Sequence, residues 1–411
     1  MAWRKLGNEE INQRVVLALA ENVNYSSENI LGVPASHLDE RVFPSAASFL
    51  NDAPFLRTMV ENPNHIGCHT FGVSEGFFSG TQAIEREVIE ICSTDILKAE
   101  PNSCDGYIAS GGTEANMQAI WIYRNFFREE FQAQLDEICI LCSADSHYSM
   151  PKAADILNLT IRTAAVDQIT RVILPETLES TIDEAIKGGK KYFIVIANMM
   201  TTMFGSVDDP NIYIQALKRR NLQFKLHIDG AYGGFYYPFS NAHSQLNFSN
   251  PEISSVTLDA HKMAQAPYGT GVFLARKGLM EYARTKEASY VEGEDCTIIG
   301  SRSGANAVAV WMILSTYGPH SWYEKILVLQ QRTAWLCDQL DQLKIRYYRN
   351  SFSNIVTMDA RDIPVRIEEK YHLVPDQHSN PSWFKIVVME HVLIEKLAAF
   401  VIELRSSVTP S

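Results

Sequence analysis

No run of apolar residues in this sequence is long enough to span a bilayer. The first ten residues, Met1-Ala-Trp-Arg-Lys-Leu-Gly-Asn-Glu-Glu10, hold no apolar segment of the kind a secretory leader needs. Basic residues are outnumbered: 36 Lys and Arg stand against 48 Asp and Glu, a formal net charge of −12. That excludes a broad nucleic-acid-binding surface, though it leaves the charge of a small substrate open. Cysteine is sparse and odd in number, seven residues at positions 68, 92, 104, 139, 142, 296 and 337, so a disulfide framework is not expected. Cys139 and Cys142 form a C-x-x-C, but inside the apolar run Ile138-Cys-Ile-Leu-Cys142, which reads as buried strand thiols. Repeats and low-complexity segments are also missing. The expectation is a cytoplasmic protein of a reducing compartment with no membrane or nucleic-acid partner.

What is present is a large core. With 411 residues and 46% hydrophobic content, the chain can fill one big domain and a smaller lobe. Ile11, Val15, Leu19 and Val23 recur at helical spacing near the start. Segment 24–66, with Pro34, Pro44, Pro54 and Pro63, reads as an arm laid over another surface. From Ser79 the pattern turns helical, and strands then alternate with helices. Strands are expected at 106–110, 138–143, 160–165, 192–197, 224–229, 254–258 and 271–275, and helices at 113–127, 151–158, 178–187 and 211–220. Such alternation predicts a mostly parallel sheet covered on both faces. The link from 258 to 271 is too short for a parallel crossover, so the last strand is expected to run antiparallel. After Gly300 the chain reads as helical to about 345, then as strands at 353–358 and 383–389 and a helix at 391–405.

In open sheets of this kind ligands gather at the carboxyl ends of the strands. The first such end carries Ser110-Gly-Gly-Thr-Glu-Ala-Asn116, a glycine turn opening a helix, suited to a phosphate or to simple capping. The second carries Asp145-Ser-His-Tyr-Ser149, where His147 can lie against a flat ring. Another carries Thr201 and Thr202. The strand around His227 ends in Asp229-Gly-Ala-Tyr-Gly-Gly234, and a carboxylate so placed needs a partner. The apolar window 253–258 ends in Asp259-Ala-His-Lys262. A lysine beside buried strands loses its proton more readily, which is how a lysine becomes a nucleophile. Phosphate seat, flat-ring neighbour, buried Asp and strand-end Lys together describe a site for pyridoxal 5'-phosphate (PLP). His65, Cys68 and His69 also cluster, but without a fourth ligand or the right spacing, so no metal is expected there.

These segments resemble the group II PLP-dependent amino acid decarboxylases, over about 110–262 and, with Gly300-Ser-Arg-x-Gly304, over most of the chain. Within that family the pattern is most similar to the compact bacterial histidine decarboxylases, through Tyr290, Asp295, Thr297, the Gly300–Gly304 run and Gly32-Val-Pro-Ala-Ser36. The resemblance implies fold type I, the aspartate aminotransferase fold: a seven-stranded mostly parallel sheet with a smaller C-terminal α/β domain. It implies an arm at 1–66 wrapping a partner in a homodimer, a PLP-binding domain at 67–300 and a small domain at 301–411. Lys262 then carries the cofactor, Asp229 pairs with the ring nitrogen, Ala231 and His147 cover the two ring faces, and Thr202 lies near the ring hydroxyl. Gly111, Gly112 and Thr113 hold the phosphate with His261 nearby. Tyr290 becomes the acid that protonates the α-carbon, and Ser301 and His65 contact the substrate. Met200 stands where relatives usually have Gly. The implied reaction is conversion of an L-amino acid to its amine and CO₂. Histidine is the leading substrate; an aromatic or acidic amino acid (tyrosine, aspartate, glutamate) or a different fold type I reaction (aminotransferase, desulfurase, lyase) is the alternative.

Overall fold

The computed structural model describes residues 2–23, 29–31, 38–72, 76–285 and 294–408. Tyr290 and the Gly32–Ser36 run lie outside the described residues. The main sheet has seven strands: β1 (Cys104–Ala109), β2 (Ile138–Ser143), β3 (Thr160–Ala164), β4 (Tyr192–Asn198), β5 (Gln223–Gly230), β6 (Ile253–Asp259) and β7 (Gly271–Arg276). Their order across the sheet is β1-β7-β6-β5-β4-β2-β3. Strands β2 to β6 pair in parallel, and β7 runs antiparallel to both β1 and β6. The expected α/β sheet and the reversed last strand are both present.

Burial on two faces explains why β2, β4 and β7 are apolar almost throughout. Along β4, Phe193 and Val195 enter one buried cluster, while Ile194 and Ile196 enter the other. Helices α1 (Asn8–Glu21), α2 (Pro54–Glu61) and α3 (Ser79–Glu90) precede the sheet; α4 (Gly112–Phe131), α5 (Ser149–Ile156), α6 (Pro175–Lys187), α7 (Pro210–Lys218) and a short α8 (Tyr237–Ser240) lie between strands. Two features depart from the sequence reading. The Pro-rich segment carries the regular helix α2, started by Pro54 at its first position, where a missing N–H costs nothing. After α3 the backbone widens into a π turn at Ile91–Ile96. All seven cysteines are free and buried, and burial pushes the Cys139 and Cys142 thiols up to about 11 and about 12.

The chain then forms α9 (Gly304–Gln342) and a second sheet of β8 (Tyr347–Tyr348), β9 (Ile355–Asp359), β10 (Val374–Pro375) and β11 (Trp383–Val387), ordered β10-β11-β9-β8. Helices α10 (Val365–Tyr371) and α11 (Ile394–Val408) complete this part. Two of its strands are two residues long, too short to leave a periodic trace in sequence. Helix α9 is broken by Gly318, at φ 62°, and Pro319. Proline has no N–H for the carbonyl of Ser315; the Leu6 N–H fills that place at 2.7 Å, and the Trp3 indole Nε1 donates to the Leu314 carbonyl at 2.7 Å. Among the described residues no helix is long and apolar enough to cross a membrane.

Candidate active site

The carboxyl ends of β1, β2, β4, β5 and β6 converge on two adjoining cavities that share His147, Ala231 and Lys262. The larger, ≈ 320 Å³, is also lined by Gly111, Gly112 and Thr113 at the start of α4, and by Asp259 and His261. Thr202 and Asp229 line the other. The sequence places these residues far apart; the parallel strand order brings them together.

Gly111 holds φ +152°, a region side chains rarely adopt, and the backbone of Gly271 packs so close that a Cβ there would sit 2.7 Å from Gly111. A Cβ on Gly112 would meet the Ala231 Cβ at 2.9 Å and Asp259 Oδ2 at 3.1 Å. The turn is therefore bare backbone at a helix N-terminus, at the positive end of the dipole. Within it, Ser110 N–H donates to Glu114 Oε2 at 2.6 Å, which fixes the turn from below.

Asp229 is buried at the end of β5. Its Oδ1 accepts from the Ala231 N–H at 3.1 Å and its Oδ2 from Asn116 Nδ2 at 3.0 Å. Asn116 Oδ1 in turn lies 3.0 Å from His227 Nε2, and His227 Nδ1 lies 2.6 Å from Ser255 Oγ. Burial pushes His227 down to about 3, so this imidazole is neutral and acts as a strut between α4 and β6. His147 is half-buried. The Ser149 N–H donates to its Nδ1 at 3.2 Å, which leaves the proton on Nε2. Burial lowers its pKa, Lys262 lowers it further, and Asp229 partly offsets both. A neutral flat ring facing a cavity is suited to stacking.

Lys262 Nζ lies 3.6 Å from Asp259 Oδ2, and the same oxygen accepts from the Gly112 N–H at 3.2 Å. His261 Nδ1 is 2.9 Å from Asp259 Oδ1, but the two are out of line for a hydrogen bond and both are buried without another partner. Asp259 and Asn116 were not singled out from the sequence. Asn116 closes the glycine motif four residues after Gly112, one turn along the same helix face, and that spacing was the available signal. Asp259 stood three residues before Lys262, with nothing in its own neighbourhood to mark it.

Other expected site residues fall elsewhere. His65 is fully buried beneath the site: its Nδ1 lies 2.6 Å from Glu85 Oε2 and its Nε2 3.0 Å from Thr81 Oγ1. It lines neither cavity, because α3 and the 301–304 segment close over it. His69 Nε2 lies 3.1 Å from the same Glu85 oxygen, so His65, His69 and Glu85 crowd within 4.8 Å of one another. Cys68 stands apart, with its Sγ against Thr70 and the Gly106 carbonyl. Arg302 pairs with Glu85 and donates to the carbonyls of Ile108 and Gly67, at 3.1 and 2.6 Å. Ser301 is exposed, and its Oγ accepts from Asn64 Nδ2 at 3.3 Å; it lines neither cavity of its own chain. Met200 lines the second cavity with φ +70°, a backbone state that favours glycine.

A phosphorylated pyridine fits these residues. The glycine turn offers N–H donors that would suit a phosphate, Lys262 offers an amine, the buried Asp229 carboxylate would suit a protonated ring nitrogen, and Ala231 and His147 line both cavities. Fold and site together define a PLP enzyme of fold type I. The chain belongs to the pyridoxal-dependent decarboxylases: the pyridoxal-dependent decarboxylase conserved domain matches residues 83–345. It is 49% identical to the tryptophan decarboxylase of Clostridium sporogenes, over 98% of this chain and 97% of that protein. It is 28% identical to a probable L-tyrosine/L-aspartate decarboxylase of Methanocella arvoryzae, over 98% of this chain and 99% of that one. Among solved structures, L-methionine decarboxylase from Streptomyces sp.590 shares the fold with a TM-score of 0.70 at 20% identity, covering 97% of this chain and 93% of that one. The protein is thus a PLP-dependent amino acid decarboxylase, and the aminotransferase, desulfurase and lyase alternatives fall away.

Proposed function

We propose that this enzyme converts an aromatic L-amino acid, tryptophan before others, to its amine and CO₂. The observation that carries this reading is the 49% identity, over nearly the whole length, to a protein named tryptophan decarboxylase. It supports the aromatic alternative over histidine. A screen of purified, PLP-loaded enzyme against the twenty amino acids for CO₂ release tests it. Tryptophan, or failing that another aromatic residue, should give the highest kcat/KM; a higher value for histidine or aspartate would overturn the assignment.

Bound PLP supplies an electron sink for the pair left behind as CO₂ departs. In this reading the chain's own residues do the rest. Lys262 supplies the amine that anchors the cofactor and later returns to release the product. Asp229, held by Asn116 and the Ala231 amide, keeps a proton on the ring nitrogen. His147 and Ala231 fix the ring plane, and so decide which substrate bond stands perpendicular to it. Gly111, Gly112 and Thr113 would seat the phosphate, with His261 lining the same cavity, and Thr202 would lie on the side of the ring hydroxyl.

Tyr290 is proposed as the acid for the α-carbon. The segment that carries it is closed at its base: the Thr285 N–H donates to the Asp295 carbonyl at 2.9 Å, and Arg284 pairs with Glu294. Loss of such a donor costs about 10²–10⁴ in rate. Tyr290→Phe, with amine and aldehyde products both counted, should show that loss and more aldehyde; unchanged values would move the role elsewhere. A homodimer is proposed as the working form, with Ser301 facing the partner's substrate. Large apolar side chains left exposed on and beside α1 and α2, Leu17, Phe49, Leu56 and Met59, support it. Active monomers in sedimentation at assay concentration would rule it out.

A further inference from the structure

The phosphate seat holds a carboxylate of its own. Asp259 is almost fully buried at the end of β6 and has one neighbour on each side of the seat. Its Oδ2 accepts from the Gly112 N–H at 3.2 Å, one of the donors at the start of α4, and lies 3.6 Å from Lys262 Nζ. Its Oδ1 is buried without an aligned partner, 2.9 Å from His261 Nδ1. The space that a side chain at position 112 would need is filled by Asp259 Oδ2 and Ala231, at 3.1 and 2.9 Å. Gly112 is therefore required as much to admit Asp259 as to admit a ligand.

We propose that Asp259 is a positioning residue that holds the Lys262 amine at the phosphate seat, and that its negative charge limits how tightly the seat holds an anion. This rests on the reading of Gly111–Thr113 as the phosphate seat. The reasoning is electrostatic. Two like charges at one helix N-terminus compete for the same dipole and the same N–H donors, and each disfavours the other. A neutral side chain of the same shape would cap Gly112 equally well and would leave the seat more attractive to phosphate. It would also release Lys262 from its nearest carboxylate, so the amine would be placed less well for attack.

The experiment uses apo-enzyme and inorganic phosphate, with PLP-loaded enzyme as the second arm. Asp259→Asn keeps the shape and the acceptor for Gly112 and removes only the charge. Its apo form should bind phosphate at least about tenfold more tightly than the wild type by calorimetry, while kcat at saturating PLP falls. Asp259→Ser, which also keeps an acceptor without charge, should move both in the same directions and serves if the first variant does not fold. A purely structural role would leave phosphate affinity unchanged. Equal or weaker phosphate binding in the folded variants overturns the proposal. In the wild type, phosphate should shift the Gly112 amide resonance. If phosphate does not bind, or binds without moving that resonance, the seat itself is misassigned and both readings fail.

Discussion

Two buried clusters in this molecule use nearly the same residue types, histidine, carboxylate and a cation. Beneath β1, Glu85 meets His65, His69 and Arg302; at the strand ends, Asp229 and Asp259 meet His147, His261 and Lys262. The first lines neither cavity of the site. Burial alone would raise the Glu85 pKa, but Arg302 and the two histidines hold it well below the ordinary carboxylate range. Its oxygens are taken by Arg302, the Ile108 N–H and His65 Nδ1, and Arg302 reaches on to two main-chain carbonyls. That cluster ties four chain segments together: 65–69, α3, β1 and the one carrying Arg302. The second opens on a cavity, and each of its carboxylates has a side toward that space. What separates structure from chemistry here is which charges are used up by the fold, since the residue types alone are alike.

Each cluster can be broken separately, and the outcomes should differ in kind. Lys262→Ala should abolish turnover while the urea midpoint stays near wild type; residual multiple turnovers at the wild-type rate would remove Lys262 from the chemistry. Arg302→Met should do the reverse. It leaves a buried carboxylate without its partner, at a cost of about 3–5 kcal/mol in unfolding free energy, and activity should follow only the fraction folded. Unchanged stability would show that Glu85 does not depend on Arg302. Asn116→Ala stands between the two, because it frees Asp229 Oδ2 and leaves the carboxylate itself in place. A drop of about 10–100-fold in kcat is expected, as for other outer partners that orient a reactive group, with little change in midpoint.

The smallest effect is graded and concerns pH. Burial lowers His69 from 6.5 to about 4 and His227 from 6.5 to about 3. Unfolded, both take up protons as pH falls through 6.5; folded, they resist. Stability should therefore fall progressively from pH 6.5 toward pH 4. Glu85, whose folded pKa lies below its ordinary 4.5, adds its own loss only below that value. Urea midpoints at pH 7 and pH 5 should differ in the wild type and differ less in His69→Gln. An equal difference in both would take His69 out of the account.

Much of this was legible in the sequence for a physical reason. Short runs rich in apolar and β-branched residues, ended by polar ones, mark buried strands, so all seven strands of the main sheet could be read to within two residues. The order of strand ends then pointed Lys262, Asp229, His147 and the glycine turn toward one cleft. What could not be read depends on contacts between distant segments. Gly112 and Asp259 meet across 147 positions, and Asn116 and Asp229 across 113. The resemblance puts His65 beside the substrate; its burial depends on α3 and Gly304, which spacing along the chain does not show. Histidine leads as substrate on a handful of positions, Tyr290, Asp295, Thr297, Gly300–Gly304 and Gly32–Ser36, whereas identity along the whole chain is to a tryptophan decarboxylase of Clostridium sporogenes.

The break in α9 has a consequence for the order in which the protein is made. The carbonyls freed around Gly318 and Pro319 are satisfied by Trp3 and Leu6, the former across 311 positions. Contacts of such high sequence separation form late. Trp3 and Leu6 must therefore wait, undocked, until more than three hundred residues after them have followed. Trp3, buried in the finished molecule, is a natural reporter of that last docking step: its fluorescence should settle only after the sheet has formed.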